Sequence, residues 1–199
     1  MPAVPDFARR HPLLFHVTHR SSVPSIRRHG LLPATDVCAL FQAPPERLAA
    51  LLEANRDRYE SLHHPVHGSA VLRRQLMRDH VMATRLASGL TPADWRRFIN
   101  GLVFFVVDSD RAARFRAYDS ERDQVILVWK TRDIMQAGVE LRACRYNNGM
   151  VDRTSSQRRR LRSPDDYRPV AQHYNGPIAE VVAMTAIPPA IPFRQHRHP

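Results

Sequence analysis

The stretch Leu102–Val107, LVFFVV, entered through the turn pair Asn100-Gly101, is the clearest strand in this chain of 199 residues. Its aromatic and β-branched residues run without a polar interruption, the pattern of a strand covered on both faces. Val125–Trp129, VILVW, is a second strand of the same kind, and Val139–Ala143 a weaker third. Leu13–Thr18, LLFHVT, precedes them as the first strand, and Ile178–Met184, IAEVVAM, follows as the last. Between LLFHVT and LVFFVV the signals are mostly helical. Ser21-Ser22-Val23-Pro24 reads as a helix start, and Gly30 as its stop. Pro44-Pro45-Glu46 opens a helix with Leu48, Leu51, Leu52 and Tyr59 at helical spacing. A His/Pro/Gly loop, His63–Gly68, separates it from a third helix predicted over Val71–Ala87. Thr91-Pro92-Ala93-Asp94 caps a fourth carrying Trp95, Phe98 and Ile99, and a short arginine-rich helix is expected over Ser109–Tyr118. The tail beyond IAEVVAM is expected to be irregular. Helices gather in the first half and strands in the second, with no βαβ alternation, so the order predicts one α+β domain rather than a doubly wound fold.

Composition sets the class of partner. The formal net charge is +11, and of thirty basic residues only Lys130 is not arginine. A GC-rich genome yields arginine in place of lysine without selection for binding, but it does not explain the excess of positive charge. That excess favours a polyanionic partner, and the arginine fork suits phosphate. The longest uncharged apolar run, Gly101–Val107, is far too short to span a bilayer. The two cysteines, Cys38 and Cys144, provide neither a disulfide framework nor a cysteine-based zinc cluster, so a reducing cytoplasm is the expected compartment and no metal is expected.

Two polar residues interrupt apolar strands. Glu180 lies inside IAEVVAM, where an unpaired carboxylate carries a desolvation cost of several kcal/mol and calls for a partner or a cleft, unless the strand is an edge facing solvent. His16 sits in the middle of LLFHVT, with Thr18 two residues on and therefore on the same face. A hydrogen-bonded core histidine is the plainer alternative for His16. The segment Asn147–Arg168 is polar and turn-rich, with six arginines against three aspartates between Val151 and Val170, and reads as a mobile basic loop. No Gly-x-Gly-x-x-Gly, phosphate-binding loop or Gly-x-Ser-x-Gly is present, which disfavours Rossmann-type dinucleotide binding, P-loop chemistry and an α/β-hydrolase elbow.

LFHVTHRSSVPSIRRHGLLPA, Leu14–Ala34, resembles the opening of the DarT-type DNA ADP-ribosyltransferases and, in similar form, of the tRNA 2′-phosphotransferases that share their fold. Gly101-Leu102-Val103-Phe104-Phe105 is similar to their aromatic central strand, and Ile178-Ala179-Glu180-Val181-Val182 to the strand bearing the catalytic glutamate. The middle, from Leu72-Arg73-Arg74-Gln75-Leu76 through TPADWRRFINGLVFFVV, is also similar to an uncharacterised bacterial domain family. The resemblance implies a split, mainly antiparallel sheet with NAD as co-substrate in the cleft between its halves. It implies Glu180 as the catalytic carboxylate, with His16 and Thr18 seating the nicotinamide-ribose end. Arg73 is the best match for the arginine that holds the pyrophosphate or assists at the reacting centre, Arg74 is the fallback, and Arg20 and Arg27 are weaker phosphate ligands. Arg153, Arg158, Arg159, Arg160 and Arg162 of the basic loop would then clamp a nucleic-acid acceptor, single-stranded or with an extruded base. The setting implied is a toxin or phage-defence effector, with room for a neutralising partner protein. Two alternatives stay open from the sequence. The same fold can act on protein or on water as an NAD glycohydrolase, and a non-catalytic basic module can bind nucleic acid without NAD.

Overall fold

A computed structural model describes residues 5–118, 123–148, 161–171 and 176–196. It is an α+β structure whose sheets are mainly antiparallel. In chain order, α1 is Asp6–Arg10, β1 Leu13–His19, α2 Val23–His29, α3 Ala34–Leu40, α4 Pro45–Leu52, β2 Glu60–His64 and β3 Gly68–Leu72. Then come α5 Asp79–Ala83, α6 Pro92–Asn100, β4 Val103–Phe105, α7 Ser109–Ala117, β5 Gln124–Lys130, α8 Thr131–Gln136 and β6 Leu141–Cys144. The chain closes with β7 Arg168–Pro169, β8 Glu180–Ala183 and β9 Phe193–Gln195.

Two antiparallel sheets form the frame, one ordered β1-β5-β9 and the other β4-β8-β6-β7. They join where β4 runs out: the backbone N–H of Phe15 donates to Val106 (2.9 Å), and that of Val106 to Phe15 (3.0 Å). The apolar run of β5 does not alternate because both faces are covered. Val125, Leu127 and Trp129 enter the main core with Phe105 and Val181, while Ile126 and Val128 pack under Ala112 of α7 with Phe15 and Val17. Strand β8 divides in the same way. Val181 and Ala183 face the main core, and Val182 faces a second cluster holding Trp95, Ile99 and Tyr167. Helix α6 starts where its sequence predicts, with Thr91 and Asp94 in a reciprocal capping box.

Several elements depart from the sequence reading. The helix opened by Pro45 ends at Leu52, and Tyr59 is not on it. The Arg56 guanidinium bonds to the carbonyls of Leu51 and Arg73, turning the chain into the β2–β3 hairpin. The residues expected as the start of a third helix are strand β3. Ala70 and Leu72 are buried at a spacing of two, beside Leu62 of β2, against α3 and α4, and only Asp79–Ala83 of the expected helix is helical. The segregation of helices and strands is weaker than the sequence reading has it, since β2 and β3 add strands to the first half and α8 a helix to the second. The tail is not irregular throughout: β9 pairs antiparallel with β5.

Gly30 ends α2 with φ 86° and ψ 177°, a conformation essentially confined to glycine. The next residue, Leu31, is clipped to Ile187 by reciprocal backbone bonds of 3.0 and 2.9 Å. A methyl group on residue 30 would collide with the Ile187 carbonyl oxygen. Gly30→Ala is therefore expected to cost at least ~2–3 kcal/mol, lowering Tm by roughly 5–10 °C. Thermal denaturation followed by circular dichroism measures this.

Candidate active site

A cleft of about 720 Å³ opens beside the junction of the two sheets, within the range typical of small-molecule sites. His16 and Thr18 of β1, Arg73 and Arg74 just after β3, and Glu180 at the start of β8 all line it. Residues far apart in sequence thus converge on one space. Its walls are otherwise mostly apolar, with Ile26, Leu31, Leu72 and Val103 among them.

Glu180 pairs in register with Cys144 of β6 and is 6% exposed. Its Oε1 accepts a hydrogen bond from the Tyr167 hydroxyl at 2.6 Å and another from the backbone N–H of Asn148 at 3.2 Å. Both bonds fall on the same oxygen, which leaves Oε2 for the cleft. Burial pushes the carboxyl up to about 7; the bonds from Tyr167 and Asn148, then the positive charges of Arg111 and Arg162, act in the opposite direction. The nearby Cys144 thiol is pushed up to about 12, chiefly by burial, so it stays protonated at neutral pH. Tyr167 is raised well above the ordinary phenol range, first by burial and next by the Glu180 charge, and serves as a hydrogen-bond donor.

His16 spans the sheet junction. Its Nδ1 lies 2.8 Å from the carbonyl oxygen of Phe104 in β4, the neighbour of β8. A carbonyl only accepts, so Nδ1 carries the hydrogen and Nε2 is the acceptor nitrogen. Burial lowers its pKa to about 4, and the Arg73 charge acts in the same direction. At neutral pH the ring is an uncharged imidazole.

The rim carries residues that the sequence did not single out. Helix α7 presents Arg111, Arg114, Phe115 and Tyr118 to the cleft, at the i, i+3, i+4, i+7 spacing of one helical face. The Arg111 guanidinium lies 5.7 Å from the Phe115 ring centre and that of Arg73 6.0 Å, both within cation–π range. Arg74 lies 5.3 Å from the ring of Tyr118. The spacing was legible in the predicted arginine-rich helix, but which face it buries was not. Tyr167 and Asn148 gave no signal, because only the pairing of β6 with β7 and β8 brings them to Glu180.

Three of the sequence assignments are revised. Arg20 lies outside the cleft and forms an exposed ion pair with Asp123 at 2.8 Å. Arg27 is also outside, 4.8 Å from the ring centre of Phe193. Arg162 is not on an open basic loop. It is 7% exposed, 4.0 Å over the Tyr146 ring, and its backbone is bonded to Arg85 and Ala87. Arg153, Arg158, Arg159 and Arg160 lie outside the described residues. The end of the same segment is regular, with a 3₁₀ turn at Pro164–Asp166 leading through Tyr167 into β7. Among the described residues no group of His, Cys, Asp and Glu could hold a metal ion, and no helix is long and apolar enough to cross a membrane.

A buried carboxyl group, a histidine and several arginines thus line one mostly apolar cleft. The chain belongs to a family of unknown function, DUF7002, whose profile matches residues 12–181 and so includes each of these cleft residues. Comparisons with curated proteins and with solved structures give no match.

The two titrating groups oppose each other in stability. Between its ordinary 4.5 and about 7, Glu180 keeps its proton in the native state while the unfolded chain loses it, so its contribution falls as pH rises. Between about 4 and its ordinary 6.5, His16 stays neutral in the native state while the unfolded chain is protonated, so its contribution grows as pH rises. Relative to wild type, Glu180→Gln should make stability rise more with pH by ~3 kcal/mol across its window. His16→Asn should make it rise less by a similar amount. Urea unfolding from pH 4 to 7.5 reads both; parallel curves for all three proteins would contradict these protonation states.

Proposed function

We propose that this protein is an NAD-dependent ADP-ribosyltransferase that transfers ADP-ribose to nucleic acid. The observation that carries the reading is the convergence of Glu180, His16 and Arg73 on one cleft of dinucleotide size, at the junction of two antiparallel sheets. The residues fit NAD as substrate. Arg73, Arg74 and Arg111 supply forks for a pyrophosphate, and apolar walls accommodate flat rings. Nε2 of His16 accepts a hydrogen bond from a ribose hydroxyl or an amide N–H. Thr18 contributes a hydroxyl to the same wall.

Breaking the bond between C1′ of the ribose and the pyridinium nitrogen sends the bonding pair to nicotinamide, which leaves neutral. Positive charge builds on the sugar, and a carboxylate fixed beside it lowers the barrier. Tyr167 and Asn148 hold Oε1 of Glu180, so Oε2 is the oxygen presented to that charge. An amine, amide or hydroxyl of the acceptor then bonds to C1′ and gives its proton to Glu180, which releases it to solvent. The carboxylate is the competent form, so activity should rise with pH through a limb near 7.

The test combines three measurements: NAD-induced thermal shift, nicotinamide release, and transfer of labelled ADP-ribose to a single-stranded oligonucleotide. Saturating NAD should raise Tm by roughly 5–10 °C. Glu180→Gln should cut nicotinamide release by ~10²–10³-fold or more while keeping the thermal shift. Label in free ADP-ribose alone would make the enzyme a glycohydrolase; no shift and no release would refute the reading altogether.

A further inference from the structure

Arg162, which the sequence assigned to nucleic acid, is buried against Tyr146, whereas the cleft mouth holds an alternation of guanidinium and aromatic groups. One side is the cleft-lining face of α7, with Arg114, Phe115 and Tyr118. The other is the extended segment after β3, where Arg74 and Leu76 also line the cleft. Tyr118 is 58% exposed and Leu76 44%, so both large side chains at the cleft are open to solvent. These groups lie along the rim, whereas Glu180 is buried inside.

We propose that this mouth is the acceptor subsite, and that it takes a single-stranded nucleic acid. The inference rests on the transferase reading and locates its second substrate. A single strand presents phosphates along one edge and unpaired bases with two flat faces along the other. Arg74 and Arg114 match the first, and the exposed Tyr118 ring, with Phe115 deeper in, matches the second. A duplex hides its base faces and offers Tyr118 nothing to stack on. The net charge of +11 supplies the attraction that brings a polyanion to the rim. A strand seated there points one base inward towards the carboxylate, which removes the need to extrude a base from a helix.

The experiment uses the full chain and a fluorescein-labelled single-stranded deoxyoligonucleotide of about 20 nucleotides, with its duplex as control. Anisotropy is read without NAD, and labelling with it. Tyr118→Ala should weaken single-strand binding by about tenfold, and Tyr118→Trp should restore it. Arg114→Ala should reduce the slope of log affinity against log salt by about 0.7. Both side chains are solvent-facing, so the variants should keep the wild-type melting temperature. Duplex binding as tight as single-strand binding would overturn the inference, as would unchanged affinity and labelling in Tyr118→Ala. If wild type releases no nicotinamide, the transferase reading fails; if it does and Tyr118→Ala labels as well as wild type, only the subsite fails.

Discussion

The site depends on one hydrogen bond, from the hydroxyl of Tyr167 to Oε1 of Glu180. A carboxylate at the head of a strand whose other members are fully buried is unfavourable there unless its charge is met. The structure meets it on one oxygen only. The two donors come from Tyr167, which leads into β7, and from Asn148, which follows the turn after β6, so β6 must pair with both β7 and β8 before the carboxylate is held. Assembly of the four-stranded sheet and assembly of the site are the same event.

The second sheet contributes by a comparable device. His16 reaches out of β1 to a carbonyl of β4, and the reciprocal bonds between Phe15 and Val106 fix the strand from which it reaches. This geometry decides which imidazole nitrogen is free, and burial decides that the ring is uncharged. A neutral acceptor on one wall and a carboxyl near its titration point on the other give the cleft little fixed negative charge.

Much of this was legible in the sequence, and the failures have a common cause. VILVW and LLFHVT are strands, LVFFVV is one over Val103–Phe105, α6 starts at its cap, and α7 lies within the arginine-rich stretch read as helical. Glu180 and His16 stood out because each is a polar residue in an apolar run. The hairpin β2–β3 was misread because leucines at Leu48, Leu51 and Leu52 continue in helical register to Tyr59, while the buried side chain of Arg56 turns the backbone away. Charge density misled in the basic segment, because Arg162 is stacked on Tyr146 inside the fold rather than offered to solvent. Composition reports how many charges there are; only tertiary pairing decides which face outward. The cleft face of α7 was hidden for the same reason.

Ile187, which clips Leu31, lies beyond the last residue matched by the family profile, as does β9, which pairs with β5. Both reach back to earlier elements of the frame: Gly30 and Leu31 line the cleft, and β5 is the partner of β1. On a ribosome the cleft wall therefore stays unfastened until Ile187 has emerged. A fragment trimmed to the family boundary would keep every residue assigned to chemistry and lose the latch that closes the wall beside them.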